Sequence, residues 1–344
     1  DGEADGGRNM RVGLVGGGGM AQVHLRSLLS LAGAEVCGLA ALEVAPALSD
    51  LCQSQSIPVG TGVEWLLDAC RPGAIVVATP TDTHAGLVAE AARAGCHVFC
   101  EKPLGRTAAE AANTLSGCQE AGVKLAVGHV VRYFPAYARI AEMVKAGQIG
   151  PPGMAKCRRV SGPPGGQRGW YRDAVRSGGL MLDMGVHDFD WLRWCLGPVE
   201  RVSALTSPAN LGQAAMVVLA HVSGAISVVE LSWMDPEGFA TAVEVSGPKG
   251  LVRHDSRRSP TYLTELWPAN EGSDPAVRVH LATPTDDPYR DEVAAALSWF
   301  GGGPQPRSTG LDAVAAVALA EAAERSAARG EPVPAGEVAP EGAL

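Results

Sequence analysis

The stretch Val15-Gly-Gly-Gly-Gly-Met-Ala-Gln-Val-His24 follows the apolar run MRVGLV and opens a segment whose apolar residues have helical spacing. Four consecutive glycines are too many for the interior of a stable helix or strand. A strand, a glycine turn and a helix in this order are typical of a βαβ unit rather than of a flexible linker. The stretch therefore predicts a sheet on which helices pack.

The glycines also match the fingerprint of a dinucleotide site. Within Gly16-x-Gly18-x-x-Ala21, the first residue would permit the turn, the second would let a pyrophosphate approach the backbone, and the third would allow close packing of helix on strand. The phosphates would meet free N–H groups at the helix N-terminus. Gly17 and Gly19 are interpreted as spare in this three-residue fingerprint. The alternative to a dinucleotide site is a glycine turn that has a structural role and binds no ligand. The expected phosphate site comprises Gly16, Gly18, Gly19, Met20 and Ala21.

The fingerprint expects an acidic residue at the end of the second strand, where it would bind the adenosine ribose. That position falls near Ala41, and Glu43 is the nearest carboxylate. No arginine or lysine stands beside it to bind a 2′-phosphate. The sequence therefore predicts NAD or NADP without choosing between them.

The wider pattern predicts two domains. Up to residue 128, short continuous apolar runs alternate with helical segments, which indicates a doubly wound parallel sheet of the Rossmann type. From about residue 150, successive strand patterns with no intervening helix predict an antiparallel sheet, and two helical segments close the chain. We expect a dinucleotide-binding domain over 10–128 and a substrate and oligomerisation α/β domain over 129–330, with an open, mainly antiparallel sheet. Residues 1–9 and 331–344 are expected to be flexible.

Composition limits the function classes. The 344 residues carry a net charge of −9, which argues against binding a nucleic-acid backbone. No apolar run reaches the ~18 residues of a membrane span. Eight cysteines scattered through apolar runs are typical of reduced, buried thiols, which predicts a cytoplasmic protein.

Two segments carry candidate catalytic groups. Lys102, in Glu101-Lys102-Pro103, follows a strand at the edge where open α/β sheets bind ligands, and could donate to a reacting oxygen. Asp183 and His187 are four residues apart, so a helix would place both on one face. His187 could then carry a proton while Asp183 orients its ring. A solvated loop lysine and a hydrogen-bonded core histidine are the alternatives.

A metal site is the less favoured interpretation of this segment. Asp190 lies three residues beyond His187, but three ligands on one helix converge poorly on one ion. Cys96-His97-x-x-Cys100 fails for a similar reason, because alternate residues of one strand face opposite ways. We predict no metal and assign Asp190 to helix structure.

Aromatic and guanidinium groups supply candidate substrate contacts. Arg132 and Tyr133 follow the last strand of the first domain, and Trp170 and Tyr171 lie in a loop rich in glycine and proline. Such groups suit a hydroxylated ring or an acidic substituent. Packing between domains is an equally good interpretation.

At this point the motifs resemble the glucose–fructose oxidoreductase/inositol dehydrogenase (Gfo/Idh/MocA) family. The matching pieces run from about residue 10 to 200, and the closing helical segment is similar to the last helix of the family. They are GLVGGGGMAQVH, VATPTDTH, AGCHVFCEKPL, GHVVRYFPAY, GQIG and GGLMLDMGVHDFDWLRWCLG.

The resemblance implies NAD(P)-dependent hydride transfer at a carbinol or keto carbon of a sugar, an inositol-like polyol or a nucleotide sugar. It implies that Lys102, Asp183 and His187 surround the reacting carbon, where the last two also bind substrate. It adds five residues to the cofactor site: Thr79, Pro80, His84, Glu101 and Lys102. Many members carry asparagine in the segment that reads TPT at 79–81 here. The resemblance also implies a homodimer or homotetramer formed through the open face of the second sheet.

Three rival functions stay open at this level. An NAD-dependent glycoside hydrolase of the same fold would release free sugar without net cofactor change. A non-catalytic, cofactor-sensing regulator would be free to lose Lys102 and His187, and both are present. A metal-dependent enzyme would use Asp183, His187 and Asp190.

Overall fold

Two compact units make up the described chain. The computed structural model describes residues 9–164, 167–258, 261–266, 276–281 and 287–337. Described residues up to Arg106, with Glu110–His129 and Asp287–Ala313, form the first unit. Thr107–Ala109, the described residues between 130 and 286 and those from Val314 onward form the second. Residues 287–313, which the sequence analysis placed in the second domain, thus group with the first unit.

A parallel sheet forms the first unit, as predicted. Its strands lie in the order β3-β2-β1-β4-β5-β6, and every described pair in it is parallel. Every residue of β4 is buried, as expected for a strand covered on both faces. The strands are β1 (Met10–Val15), β2 (Ala34–Ala40), β3 (Val59–Gly60), β4 (Ala74–Val77), β5 (His97–Glu101) and β6 (Leu125–Gly128).

Helices connect these strands and confirm the doubly wound α/β class. They are α1 (Gly19–Leu29), α2 (Pro46–Ser54), α3 (Val63–Cys70), α4 (His84–Arg93) and α5 (Ala108–Glu120). In α1, Leu25 and Leu28 are buried against the sheet. The sequence analysis did not predict α3 or the two-residue strand β3, because both are short.

The second unit contains a mixed sheet and three helices that precede or interrupt it. Its strand order is β14-β13-β12-β11-β7-β10-β9-β8-β15. The helices are α6 (Pro135–Lys145), α7 (Ala174–Ser177) and α8 (Val186–Leu196). The strands are β7 (Met154–Val160), β8 (Val199–Thr206), β9 (Ala214–His221), β10 (Ile226–Ser232), β11 (Ala240–Gly247), β12 (Gly250–Asp255), β13 (Thr261–Leu266), β14 (Ala276–Leu281) and β15 (Val333–Pro334).

The sheet is mainly antiparallel, as predicted, but one pairing differs. β10 pairs with β7 in parallel, whereas the other described pairs are antiparallel. The expectation of strands with no intervening helix was wrong, since α7 and α8 lie between β7 and β8, although the spacing of Asp183 and His187 already indicated a helix at α8. The chain leaves the sheet after β7 and re-enters it three strands away at β8. The antiparallel pairs β8–β9 and β9–β10 then bring β10 beside β7 in the parallel direction.

The two closing helices, α9 (Pro288–Phe300) and α10 (Gly310–Arg329), form as predicted. Asp287 caps α9 by accepting the backbone N–H groups of Tyr289 and Arg290. Val293, Ala296 and other residues of α9 join the core cluster of the first unit, which explains why 287–313 group there.

Part of the C-terminal segment that the sequence predicted to be flexible makes contacts with the rest of its unit. β15 pairs with β8 through Val333 and Val202, and Arg329 forms an ion pair with Glu337. Residues 1–8 and 338–344 lie outside the described residues. Among the helices described, none combines the length and apolar character that crossing a bilayer would require.

Two buried ion pairs hold α8 in the second unit. Arg159 of β7 donates to both carboxylate oxygens of Asp188, at 2.7 and 3.0 Å. Arg132 donates to both oxygens of Asp190, at 2.8 and 2.6 Å. Burial alone would lower the pKa of Arg159, but the charge of Asp188 outweighs it and holds that pKa above its ordinary value. The guanidinium group of Arg159 therefore stays charged.

Breaking one buried pair should destabilise the protein strongly. Arg159→Leu leaves the Asp188 carboxylate buried without its cation, and such a loss typically costs about 3–5 kcal/mol of unfolding free energy. Arg159→Met combined with Asp188→Leu should recover most of that loss, because no charge stays buried. Urea denaturation followed by circular dichroism measures both variants.

The matched control is Arg139→Leu, which breaks the exposed pair with Glu142 at 3.0 Å. Its effect should stay within about 1 kcal/mol. Equal losses at the buried and the exposed pair would contradict this account of α8.

Candidate functional site

The turn after β1 is closed by contacts that exclude any side chain at Gly16. This residue has a φ of +136°, which L-residues with side chains rarely adopt. A Cβ at Gly16 would collide with the Ala78 carbonyl oxygen beyond the end of β4. Only glycine therefore allows this turn, which leads from β1 into α1 and lies against the loop after the neighbouring strand β4.

Gly17 is not spare, which corrects the sequence analysis. A Cβ on Gly17 would collide with the carbonyl oxygen of Glu43 and would lie 3.1 Å from the Ala41 side chain. The Gly17 carbonyl also accepts the backbone N–H of Ala45 at 2.9 Å. The loop after β2 therefore packs directly on the glycine turn, a long-range contact that the fingerprint does not encode.

Gly18 and Gly19 have the opposite surroundings. A Cβ at either position would meet no atom within 4 Å. Gly18 is the N-cap of α1, and the first turn of that helix contains no acidic residue. Backbone N–H groups and an uncancelled positive helix end thus adjoin open space, which is the environment that a pyrophosphate requires. Ala21 is buried beneath this turn.

The end of β2 presents a short side chain rather than a carboxylate. Ala41 is half-buried, Leu42 is 82% exposed, and Glu43 is exposed two residues beyond Ala41. The structure thus leaves the preference between NAD and NADP as open as the sequence did.

The parallel register brings the predicted residues of the first unit to one edge. The glycine turn follows β1, Thr79 and Pro80 follow β4, and Lys102 follows β5, each at a carboxyl end. In the sheet order, β1 and β4 are neighbours whose connections diverge, which makes this the switch point where α/β sheets bind ligands. Lys102 is half-buried there, and the Lys102–Pro103 peptide is cis.

Glu101 is buried beside that lysine. Its Oε1 lies 2.7 Å from Nε2 of His24, and its Oε2 accepts the backbone N–H of Lys102 at 3.2 Å. Burial alone would raise the pKa of Glu101, but the hydrogen bond from His24 and the charges of His24 and Lys102 outweigh it, so its pKa lies below the ordinary value. The group is therefore a carboxylate at neutral pH.

His84 ties two of the edge loops together. Its Nδ1 lies 2.8 Å from the Pro103 carbonyl oxygen, and its Nε2 lies 2.9 Å from the Thr79 carbonyl oxygen. Burial lowers the pKa of His84, although the two carbonyl oxygens and Glu101 act in the opposite direction. Both ring nitrogens face backbone, so the structure places His84 as a bridge between loops. Direct contact with a cofactor stays a prediction.

The second unit carries Asp183 and His187 on one continuous helical segment. Met181–Gly185 form a π-helical turn that leads directly into α8, so Asp183 lies in that turn and His187 in the first turn of α8. Both side chains are half-buried. A π-helical turn is rare and is often found at functional sites. The sequence predicted the helix here but not this widened turn.

The predicted substrate contacts of the second unit differ in exposure. Arg132 is 1% exposed and bound by Asp190, and Tyr133 is also buried. The rings of Trp170 and Tyr171 stack at 3.9 Å between centroids and are half-buried. The structure thus places Arg132 as the partner of α8 rather than as an exposed cation, and a substrate contact for any of the four stays a prediction.

Comparisons with known proteins agree with this geometry. Residues 10–129 match the family model described as "Oxidoreductase family, NAD-binding Rossmann fold", and residues 137–253 match "GFO/IDH/MocA C-terminal domain". The inositol 2-dehydrogenase of Rhizobium meliloti (strain 1021) is 30% identical, over 93% of this chain and 97% of that protein. The chain belongs to the Gfo/Idh/MocA family.

Two further members extend this likeness. The uncharacterized oxidoreductase YrbE of Bacillus subtilis (strain 168) is 30% identical, over 93% of this chain and 95% of that protein. GenD2 from gentamicin A biosynthesis, whose crystal structure is a complex with NAD, is 26% identical with a TM-score of 0.82. That alignment covers 95% of this chain and 96% of GenD2. The Gfo/Idh/MocA chain described here is thus an oxidoreductase with an NAD-binding Rossmann domain.

Sequence reasoning missed one buried residue at this edge of the Gfo/Idh/MocA Rossmann unit. His24 lies within the quoted glycine stretch, but its partner Glu101 is 77 residues away. The available signal was a polar residue at an apolar position of α1, which in a buried helix face implies a polar partner.

The glycine turn yields a prediction that separates folding from cofactor binding. Gly17→Ala should destabilise the protein and weaken dinucleotide binding, because its Cβ collides with the Glu43 carbonyl. Gly18→Ala should leave the melting temperature nearly unchanged and weaken dinucleotide binding, because its Cβ projects into the open space beside the N-terminus of α1. Thermal unfolding and fluorescence titration with NADH measure the two effects. Equal destabilisation by the two variants would contradict this account of the turn.

Proposed function

We propose that the protein transfers a hydride, with NAD(P) as cofactor, between nicotinamide and the carbinol or keto carbon of a polyol or sugar. The observation that carries the proposal is the position of Lys102. It follows β5 at the same edge of the parallel sheet as the open glycine turn, and Glu101 binds its backbone N–H. An ammonium group beside a dinucleotide site suits stabilisation of a reacting oxygen.

The residues at this edge fit a dinucleotide. Gly18 and Gly19 leave space beside the N-terminus of α1, which would hold the pyrophosphate. Ala41 and Glu43 would border the adenosine, and Thr79 and Pro80 would border the nicotinamide end. When bound, the nicotinamide accepts or returns the hydride.

The remaining roles belong to side chains of this chain. We assign to Lys102 a hydrogen bond to the substrate oxygen, which stabilises negative charge that develops there. We assign to His187 the hydroxyl proton, held on the imidazole while the carbinol is oxidised and returned in the reverse direction. Asp183, four residues earlier, orients that ring. A general acid–base group of this kind typically contributes ~10²–10⁴ in rate.

Polyols are the first substrates to test. Proteins that match nearly the full length of this chain include inositol dehydrogenases of Rhizobium meliloti and Thermotoga maritima. An inositol-like ring offers the adjacent hydroxyls that Trp170, Tyr171, His187 and Asp183 could bind. A panel of polyols, hexoses, amino sugars and nucleotide sugars, followed at 340 nm with NAD and with NADP, identifies the substrate and the cofactor.

Replacing the edge lysine tests the proposal. With the best substrate of that panel, Lys102→Met should lower turnover by about 10²-fold or more, because the reacting oxygen loses its charged donor. The affinity for NADH, measured by fluorescence titration, should be unchanged. Lys249→Met is the matched control, because Lys249 is an exposed lysine in the turn between β11 and β12. Normal turnover by Lys102→Met would refute the assignment.

We also propose a homo-oligomer formed through the open face of the mixed sheet. Four large apolar side chains on adjacent strands are exposed there: Met154, Leu205, Met216 and Ile226. Exposed apolar patches of this kind favour association.

A reducing, cytoplasmic location is supported by eight free and buried cysteines, among which burial raises the pKa of Cys37 and Cys118 to about 11.

Charges on this face should weaken the association. Met216→Lys combined with Ile226→Lys should shift the mass measured by light scattering toward that of a monomer, because lysines on the two exposed positions repel the same face of a second copy. Leu311→Lys, at an exposed position of α10, is the control. An unchanged mass for the double variant would place the interface elsewhere.

A further inference from the structure

We propose that His24 is a positioning residue for Lys102 and that it acts through the carboxylate of Glu101. The proposal rests on the role assigned to Lys102 above. His24 belongs to α1 and is fully buried.

The connection consists of two hydrogen bonds on one carboxylate. Nε2 of His24 donates to Oε1 of Glu101 at 2.7 Å, and the backbone N–H of Lys102 donates to Oε2 of the same group at 3.2 Å. The carboxylate therefore bridges α1 and the first residue after β5. If His24 releases Oε1, the group that holds the lysine backbone loses its own anchor.

The surroundings of His24 leave one ring nitrogen to bind a partner. Its ring makes edge-to-face contacts with Phe99, at 5.3 Å between centroids, and with Tyr289 of α9, at 6.4 Å. Its Nδ1 is buried and has no hydrogen-bond partner among the described residues. Nε2, which lies 2.7 Å from Oε1 of Glu101, is therefore the ring nitrogen through which His24 acts.

The carboxylate of Glu101 also lies beside the neighbouring strand. The last residue of β6 is Gly128, where a Cβ would lie 3.3 Å from three atoms of the Glu101 carboxylate. A larger residue at this position would therefore press on the carboxylate that joins α1 to Lys102.

A second histidine holds the other side of the lysine. His84 lies 2.8 Å from the carbonyl oxygen of Pro103, the residue that follows Lys102. A buried imidazole therefore acts on each side of Lys102. His24 acts through Glu101 on the backbone N–H of Lys102, and His84 binds the carbonyl oxygen of Pro103. Positioning matters here because a displacement of about 1 Å at a reacting group can cost ~10²-fold in rate.

The test replaces the donor while keeping the ring. His24→Phe preserves the aromatic contacts with Phe99 and Tyr289 and removes the N–H that binds Glu101. We expect kcat to fall by about 10–100-fold, while the affinity for NADH and the KM of the substrate change little. His24→Gln, whose amide can donate to Glu101, should restore most of the turnover.

A double-variant cycle separates positioning from general structure. Because His24 acts through Lys102, His24→Phe should cost little further turnover in the Lys102→Met background. His97→Leu is the matched control. His97 lies on β5, the strand that ends at Glu101, but at the opposite end, where its ring accepts the backbone N–H of Lys124. That variant should leave kcat unchanged.

The outcomes distinguish the two proposals. Normal turnover by Lys102→Met overturns the proposed function and, with it, the role of His24. A large loss for Lys102→Met with normal turnover for His24→Phe, or with fully additive losses in the cycle, overturns the role of His24 alone. If His24→Phe does not fold, His24→Asn takes its place in the cycle, because its shorter amide cannot reach Glu101.

Discussion

At the turn after β1, the backbones of three loops meet without any side chain between them. Gly16 lies against the carbonyl of Ala78, and Gly17 lies against the carbonyl of Glu43. The loops that follow β1, β2 and β4 are therefore held at one edge, and the next two glycines leave that edge open beside the N-terminus of α1. The turn that opens toward the dinucleotide site depends on this contact, since a side chain at either position would push the loops apart.

Three buried carboxylates show how the fold handles charge away from water. Asp188 and Asp190 are each neutralised by a guanidinium group through two hydrogen bonds. Glu101 has no such partner in the described contacts; it accepts one bond from an imidazole and one from the backbone. A buried ion requires compensation of this kind. The two arginine pairs fix α8 in its unit. The weaker hydrogen bond from His24 instead holds the residue that precedes Lys102.

Much of the fold is legible in the sequence because it rests on local pattern. Continuous apolar runs such as AIVV, separated by helical segments, are enough to predict a parallel sheet, and the carboxyl-end position of Lys102 follows from that sheet. What the sequence does not reveal depends on contacts between distant residues. Gly17 and Glu43, His24 and Glu101, and Arg159 and Asp188 are examples, since neither partner carries a local signal for the other. The widened turn at Asp183 also escapes periodicity, because it spans five residues, which are too few to reveal a change in apolar spacing.

The position of α9 has a consequence for engineering. Its residues Val293, Ala296 and Phe300 belong to the core cluster that also contains Leu25 and Leu28 of α1. The N-terminal unit is thus completed by a segment that the ribosome makes only after the strands β7–β14 of the second sheet. A fragment that stops at the apparent boundary near residue 129 would expose the apolar surface that α9 normally covers. Exchange of cofactor-binding halves between relatives would therefore have to carry residues 287–313 together with the N-terminal segment.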